Sequence, residues 1–413
     1  MSSHLEFPRL IDSDRSDLLK THGFAQHPFA AWRAEDEEKD LAEWFIPPPF
    51  FDDILGNLGT TRESMKPSSH LIFGTPGGGK TALRKTVERE LMSRSPSSAE
   101  IRYTDFTRVL AGDIARPSLS RHIDELLRLR TISLLAMWYE SKDRYERLGV
   151  YQRADLAGLI MDYYEVLPPS SKDMYISSLS PYAGRALSIA KKTGHTVVEG
   201  YNAIISVLKK EKFEPTKWNA IASDGEKPEP MIRLQRFWSL ARAMGLENIW
   251  VLIDGVDEHP SARTGQAIFQ CVAEILLNQR LMEFREEDKQ VLSFKVFLTR
   301  PDELRPLLDA EKFRKDRIPV RKLEWKRKDL DIALKRRLAH YSNRTVLNFD
   351  DLCESRLRGT HDRLVDECGL NPRTLFFMGY QIFAAFQNAE TGIAKLDKDS
   401  IEEGIKLAKD AVL

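Results

Sequence analysis

The sequence predicts an α/β fold: a parallel five-stranded sheet covered by helices, with a helical insertion and a helical C-terminal region. Three observations carry this. Short apolar, β-branched runs alternate with stretches of helical periodicity over much of the 413-residue chain. The first run leads through a glycine-rich stretch straight into a helix-forming segment. A later run, Ile249 to Ile253, is continuously apolar and closes on Asp254, as a strand buried on both faces reads.

In chain order, residues 1–30 are polar and irregular, and a structured lead-in begins at His27, Pro28 and Phe29. Ala34 to Trp44 is acidic and helix-prone, and Pro47, Pro48 and Pro49 stop it and force an extended path. The aromatic residues beside this path, Phe45, Phe50 and Phe51, suit either of two tasks, packing over an adenine ring or covering the edge of the sheet. Leu71, Ile72 and Phe73 form the first predicted strand. Ala82 to Leu91 is the helix after it, with an apolar stripe at Leu83, Val87 and Leu91. Ile101 to Phe106 alternates as a second strand. Residues 113–230 then show helical periodicity without strands, and far more chain separates Lys80 from Asp254 than one crossover needs. This marks a helical insertion. The core resumes with a helix through Leu234 and Trp238 that stops at Gly245, then the third strand at Ile249–Asp254. Val296 to Arg300 is the fourth strand. Ile318 to Leu323 is the fifth, placed at the sheet edge by Pro319. Only helical periodicity follows. The organisation is a lead-in at 1–66, a core at 67–323 and a helical region at 324–413.

The glycine-rich stretch is Gly74, Thr75, Pro76, Gly77, Gly78, Gly79, Lys80 and Thr81, a complete match to the phosphate-binding pattern G-x-x-x-x-G-K-[ST]. Glycines allow the positive-φ backbone that turns successive N–H groups toward one point. The helix start adds its orphan N–H groups and positive dipole end. Lys80 is the expected ligand of the β- and γ-phosphates, and Thr81 the hydroxyl ligand of Mg²⁺.

Asp254 ends a buried strand at the sheet edge where ligands bind in α/β folds, and is the expected second Mg²⁺ residue. Glu258 or Asp257, just beyond a tight turn, is the candidate to orient and polarise an attacking water. Arg300, after Thr299 at the same edge, offers a charge-assisted fork to phosphate oxygens. Arg373 follows Asn371 and Pro372 on the first turn of a helix and could close on a bound nucleotide. Arg314 or Arg317 could reach a neighbouring subunit's site. The cationic stretch from Lys312 to Arg337 offers a nucleic-acid contact.

Lys+Arg and Asp+Glu balance at 62 each, so no global charge draws the chain to nucleic acid or acidic membranes. Cys271, Cys353 and Cys368 are too scattered for a metal site and suit a reducing compartment. The N-terminus reads as neither signal nor transit peptide, and no apolar run approaches the ~18 residues that span a bilayer. These features predict a soluble, cytoplasmic protein without a membrane partner.

Together the G-T-P-G-G-G-K-T, I-W-V-L-I-D-G-V-D-E, F-L-T-R-P and L-N-P-R-T-L stretches resemble the AAA+/STAND class of P-loop ATPases. The lead-in H-P-F … E-W-F-I-P-P-P-F-F is similar to that of prokaryotic ATPases found in defence islands and mobile elements. The resemblance covers roughly 27–110 and 230–400, and the insertion lies outside it. It implies a P-loop (ASCE) core with strand order 5-1-4-3-2 and a C-terminal helical lid. It also implies ATP and Mg²⁺ as cofactors, and assembly or switching driven by nucleotide. It places sensor arginines at Arg300 and Arg373 and hydrolysis at Asp257 and Glu258. STAND proteins usually carry sensor repeats and an effector on one chain. Neither is evident here, which favours a separately encoded effector, while the resemblance itself implies a homo-oligomer and a role in antiviral defence. The alternative is an ATPase that loads onto or remodels DNA. A small-molecule kinase would need no arginine lid, and no N-K-x-D element is present to read guanine.

Overall fold

The structure, a computed structural model, describes residues 17–31, 34, 40–56, 68–94, 98–106, 109, 119–140, 148, 230–256, 272–286, 289–299, 305–309, 313, 318–388 and 395–412. Three short helices, α1 (Asp17–Thr21), α2 (Leu41–Trp44) and α3 (Phe51–Ile54), precede β1 (His70–Gly74). Then come α4 (Lys80–Arg94), β2 (Ser98–Tyr103) and α5 (Leu119–Glu140). After the insertion follow α6 (Pro230–Ala243), β3 (Asn248–Ile253), α7 (Gln279–Met282), β4 (Leu292–Leu298), α8 (Arg305–Leu308) and β5 (Val320–Leu323). The C-terminal region is helical: α9 (Arg327–Tyr341), α10 (Thr360–Glu367), α11 (Pro372–Asn388) and α12 (Lys398–Val412), with 3₁₀ turns between α9 and α10. Most of the 113–230 insertion lies outside the described residues.

The five strands form one parallel sheet in the order β2-β3-β4-β1-β5, so β5 does lie at an edge. Every crossover returns a strand in the same direction, and the helices must therefore cover both faces. Alternate residues divide accordingly. Leu71, Phe73, Ile249, Val251, Ile253, Val296 and Leu298 join one apolar cluster with α5 and α6. Ile72, Trp250, Leu252 and Phe297 point the other way, into a cluster with α4, the N-terminal segments and the C-terminal helices.

The α4 stripe behaves as its spacing predicts, with Leu83, Val87 and Leu91 fully buried against the second cluster. Phe45 and Phe51 are buried in the same cluster, so these two aromatics cover the sheet and α4. The segment His27–Ala31 is fastened to the C-terminal helices. Phe29 is buried edge-on to Phe383, and the buried guanidinium of Arg337 donates to the carbonyls of Pro28 and Ala31. Strand limits differ from the sequence reading by a few residues. β2 begins at Ser98 rather than Ile101, and β4 starts at Leu292, because Ser293 and Lys295 interrupt the apolar run while staying buried.

Candidate functional site

The glycine loop joins β1 to α4 at the end of the sheet where the strands finish. Gly77 has φ 71° and Gly79 φ 86°, the left-handed conformations that glycine adopts without a steric penalty. A Cβ on Gly78 would lie 2.9 Å from the Thr75 carbonyl oxygen, which accepts the Gly78 N–H at 2.9 Å. Lys80 is buried, and its Nζ donates to the carbonyls of Gly74 and Thr75 at 3.1 Å each. The lysine thus stands over the loop it follows. Thr81 occupies the first turn of α4 beside it.

The neighbouring strands end at the same edge. β4 lies between β1 and β3, with Leu298 beside Phe73 and Val296 beside Ile253. This register carries Thr299 opposite Gly74, where the glycine loop begins, and places Asp254 directly after β3 at the same end of the sheet; both are buried. The Asp254 carboxylate accepts Arg84 Nε–H at Oδ2 and the Gly255 N–H at Oδ1, each at 3.0 Å. Arg84 in turn donates to Glu88 at 3.0 Å, and Glu88 also accepts from Arg102. Burial pushes the Glu88 carboxyl up, against the opposing pull of Arg102 and Arg84.

The C-terminal region meets the loop through the residues after β5 and at the start of α11. Trp325 Nε1–H donates to the Gly78 carbonyl at 2.7 Å. Asn371 Nδ2 donates to the Pro76 carbonyl at 2.8 Å, and the Arg373 N–H reaches the Gly77 carbonyl at 3.4 Å. Three successive loop carbonyls are therefore held from outside by one region of the chain. Asn371 also caps α11, its Oδ1 accepting the Arg373 N–H at 3.0 Å, with Pro372 in the first helical position. The packing is tight: a Cβ on Gly77 would lie 2.9 Å from both Arg373 Cβ and Asn371 Oδ1. The Arg373 side chain is exposed at this junction.

The structure thus brings Gly74 to Thr81, Asp254 and Arg373 to one edge. Asp257, Glu258, Arg300, Arg314 and Arg317 lie outside the described residues. Sequence reasoning missed Trp325, Arg84 and the contact role of Asn371. The asparagine was visible in N-P-R, whereas a lone tryptophan after a strand and an arginine inside a helix carry no motif.

Groups of three or more His, Cys, Asp or Glu side chains able to hold a metal are absent among the described residues. Cys353 and Cys368 are buried free thiols, and burial pushes Cys353 up to about 12. Among the described residues no helix is long and apolar enough to cross a membrane. No family model matches the chain, and no curated protein matches it.

Proposed function

We propose that this chain binds ATP with Mg²⁺ at the glycine loop and hydrolyses it, as an AAA+/STAND-type ATPase whose C-terminal helices act as a lid. The observation that carries the reading is the seating of Asn371 and Arg373 on Pro76 and Gly77. A glycine-rich turn of purely structural purpose has no need of a second region holding its carbonyls in series. With its carbonyls held from outside, the loop backbone would be fixed in a shape that offers N–H groups to a bound anion.

The residues present fit the nucleotide and its cation. Gly77 and Gly78 stand where a Cβ would strike Arg373 and Asn371 or Thr75, so the close-wound loop needs glycine at both. Lys80 is aimed across the loop, and α4 begins there with the positive end of its dipole. Thr81 would supply a hydroxyl and Asp254 a carboxylate to a hydrated Mg²⁺, while the phosphates supply its remaining oxygens. When bound, that cation neutralises charge that develops on the transferring phosphoryl group. Glu258 or Asp257 would orient the attacking water, and Arg300 and Arg373 would contact phosphate oxygens. A lid fastened directly to the loop converts nucleotide occupancy into a change of lid position. This suits a switch that assembles into a homo-oligomer and controls a separately encoded effector, in prokaryotic antiviral defence.

The alternative, DNA loading, rests on the cationic stretch before and within α9. Several of those charges have acidic partners within the chain, most of them at the surface. Arg321 pairs with Asp53, Lys322 with Glu324, Arg327 with Asp362 and Asp366, and Lys335 with Asp331, while Arg337 is buried. The switch reading is therefore preferred. Its test is the particle mass in ATP, in ADP and without nucleotide, for wild type, Lys80→Ala and Glu258→Gln. Assembly in ATP should be lost in the lysine variant and trapped in the glutamate variant. A monomer under every condition removes the switch.

A further inference from the structure

Arg84 is one turn beyond Lys80 on α4, and it is buried together with Asp254 and Glu88. A buried guanidinium is tolerated only when it is paired, and Arg84 is paired with the one carboxylate expected to attract a cation. The hydrogen bonds show how the pair is held. Arg84 Nε–H fixes Asp254 Oδ2, and Arg84 Nη1–H is anchored by Glu88 Oε2, both at 3.0 Å. Glu88 is held from β2 by Arg102. The Gly255 N–H fixes the other Asp254 oxygen. The chain Asp254, Arg84, Glu88, Arg102 alternates in sign and carries no net charge.

A carboxylate offers about four acceptor positions, two on each oxygen. Here one position on each oxygen is taken, and the plane of the group is set by two donors. One acceptor position per oxygen remains.

We propose that Arg84 is the positioning residue for Asp254, with Glu88 as its anchor, so that the carboxylate is held in one fixed orientation toward the cation site. This rests on the nucleotide-binding reading above. The arrangement links the helix that starts at Lys80 to the strand that ends at Asp254, and holds both halves of the site in register. Arg84 itself touches neither nucleotide nor metal.

The test measures equilibrium affinity for a non-hydrolysable imido analogue of ATP, with Mg²⁺ and with EDTA. The variants are wild type, Arg84→Gln, Arg84→Lys, Glu88→Gln, Asp254→Asn and the double variant Arg84→Gln/Asp254→Asn. Wild type should bind at least tenfold more tightly with Mg²⁺. Arg84→Gln and Glu88→Gln should lose most of that enhancement while their affinity in EDTA stays within about twofold, and Arg84→Lys should recover part of it. In the Asp254→Asn background the Arg84 change should have no further effect on the enhancement, as expected for residues that act as one unit. If Arg84→Gln fails to fold, Glu88→Gln and Arg84→Lys give the same reading. An unchanged magnesium enhancement in Arg84→Gln and Glu88→Gln, beside a magnesium-dependent wild type, overturns the proposal and leaves the nucleotide reading standing. Equal losses with and without Mg²⁺ overturn it too, in favour of a structural role. A wild type that binds no analogue overturns both.

Discussion

The indole N–H of Trp325 donates to the Gly78 carbonyl oxygen at 2.7 Å, and the ring lies along Gly79, 3.4 Å from where a Cβ would stand. The tryptophan sits two residues past β5 and two before α9, so the connection from sheet to C-terminal helices runs over the loop itself. Replacing it with phenylalanine keeps an aromatic face and removes the hydrogen bond. A neutral bond of this kind is worth about 1 kcal/mol, or roughly a fivefold change in an equilibrium constant. Trp325→Phe should lower the stability of the chain by about that amount, and Trp325→Ala by more. Denaturant unfolding of the two variants checks the order.

Gly77→Ala should be more damaging than its size suggests. The residue has φ 71°, and the added methyl would sit 2.9 Å from Arg373 Cβ. Left-handed strain alone costs about 1–2 kcal/mol. The variant should melt at a lower temperature than wild type and lose nucleotide affinity at least tenfold. An Arg373→Ala change, which keeps its N–H, should leave the melting temperature nearly unchanged and lower only affinity. Thermal melts with and without nucleotide separate the two effects.

Arg337 fastens the lead-in to the C-terminal helices. Its guanidinium carbon lies 4.5 Å from the Phe376 ring centroid and 4.8 Å from that of Trp44, with the Pro28 and Ala31 carbonyls accepting its N–H groups. Arg337→Ala removes the donors, the ring contacts and buried volume together, and should cost about 3 kcal/mol or more. Hydrogen exchange should rise first in residues 22–31, whose packing depends on it.

At the opposite end of the sheet from the loop, Lys295 is completely buried on β4 beside His70, which reaches Asp53, itself paired with Arg321. Burial brings the Lys295 pKa down to about 7. Burial, aided by Lys295, brings His70 down to about 4, and burial with Arg337 does the same for His27. In each case the unfolded chain binds more protons than the fold. Stability therefore rises with pH, between about 4 and 6.5 through the histidines and between about 7 and 10.5 through the lysine. Denaturant midpoints of wild type should climb from pH 7 to 9, and Lys295→Met should flatten that slope.

The loop was legible because its chemistry is local. Gly74 to Thr81 are contiguous between an apolar run and a helix, and the stripe at Leu83, Val87 and Leu91 marks that helix. The place of Asp254 at the end of a buried strand was legible because a continuously apolar run that stops at a carboxylate reads as a strand covered on both faces. The sheet order agrees with what the AAA+/STAND resemblance implies, 5-1-4-3-2 read from the far edge. What remained hidden depends on contacts between distant segments. Arg84 and Asp254 are 170 positions apart, and Trp325 and Gly78 are 247 apart. The position of Arg84 on α4 is equally suited to an exposed helical arginine until β3 is set against it. Phe45 and Phe51 show the same limit, since an aromatic pair beside a proline run reads alike over a ligand or over a sheet.

The most direct measurement of the central claim is calorimetric titration of the purified chain with ATP in the presence of Mg²⁺, beside Lys80→Ala. The account predicts saturable binding at one site per chain that Lys80→Ala abolishes and that EDTA weakens. Absence of binding by wild type, or equal binding by Lys80→Ala, would contradict it.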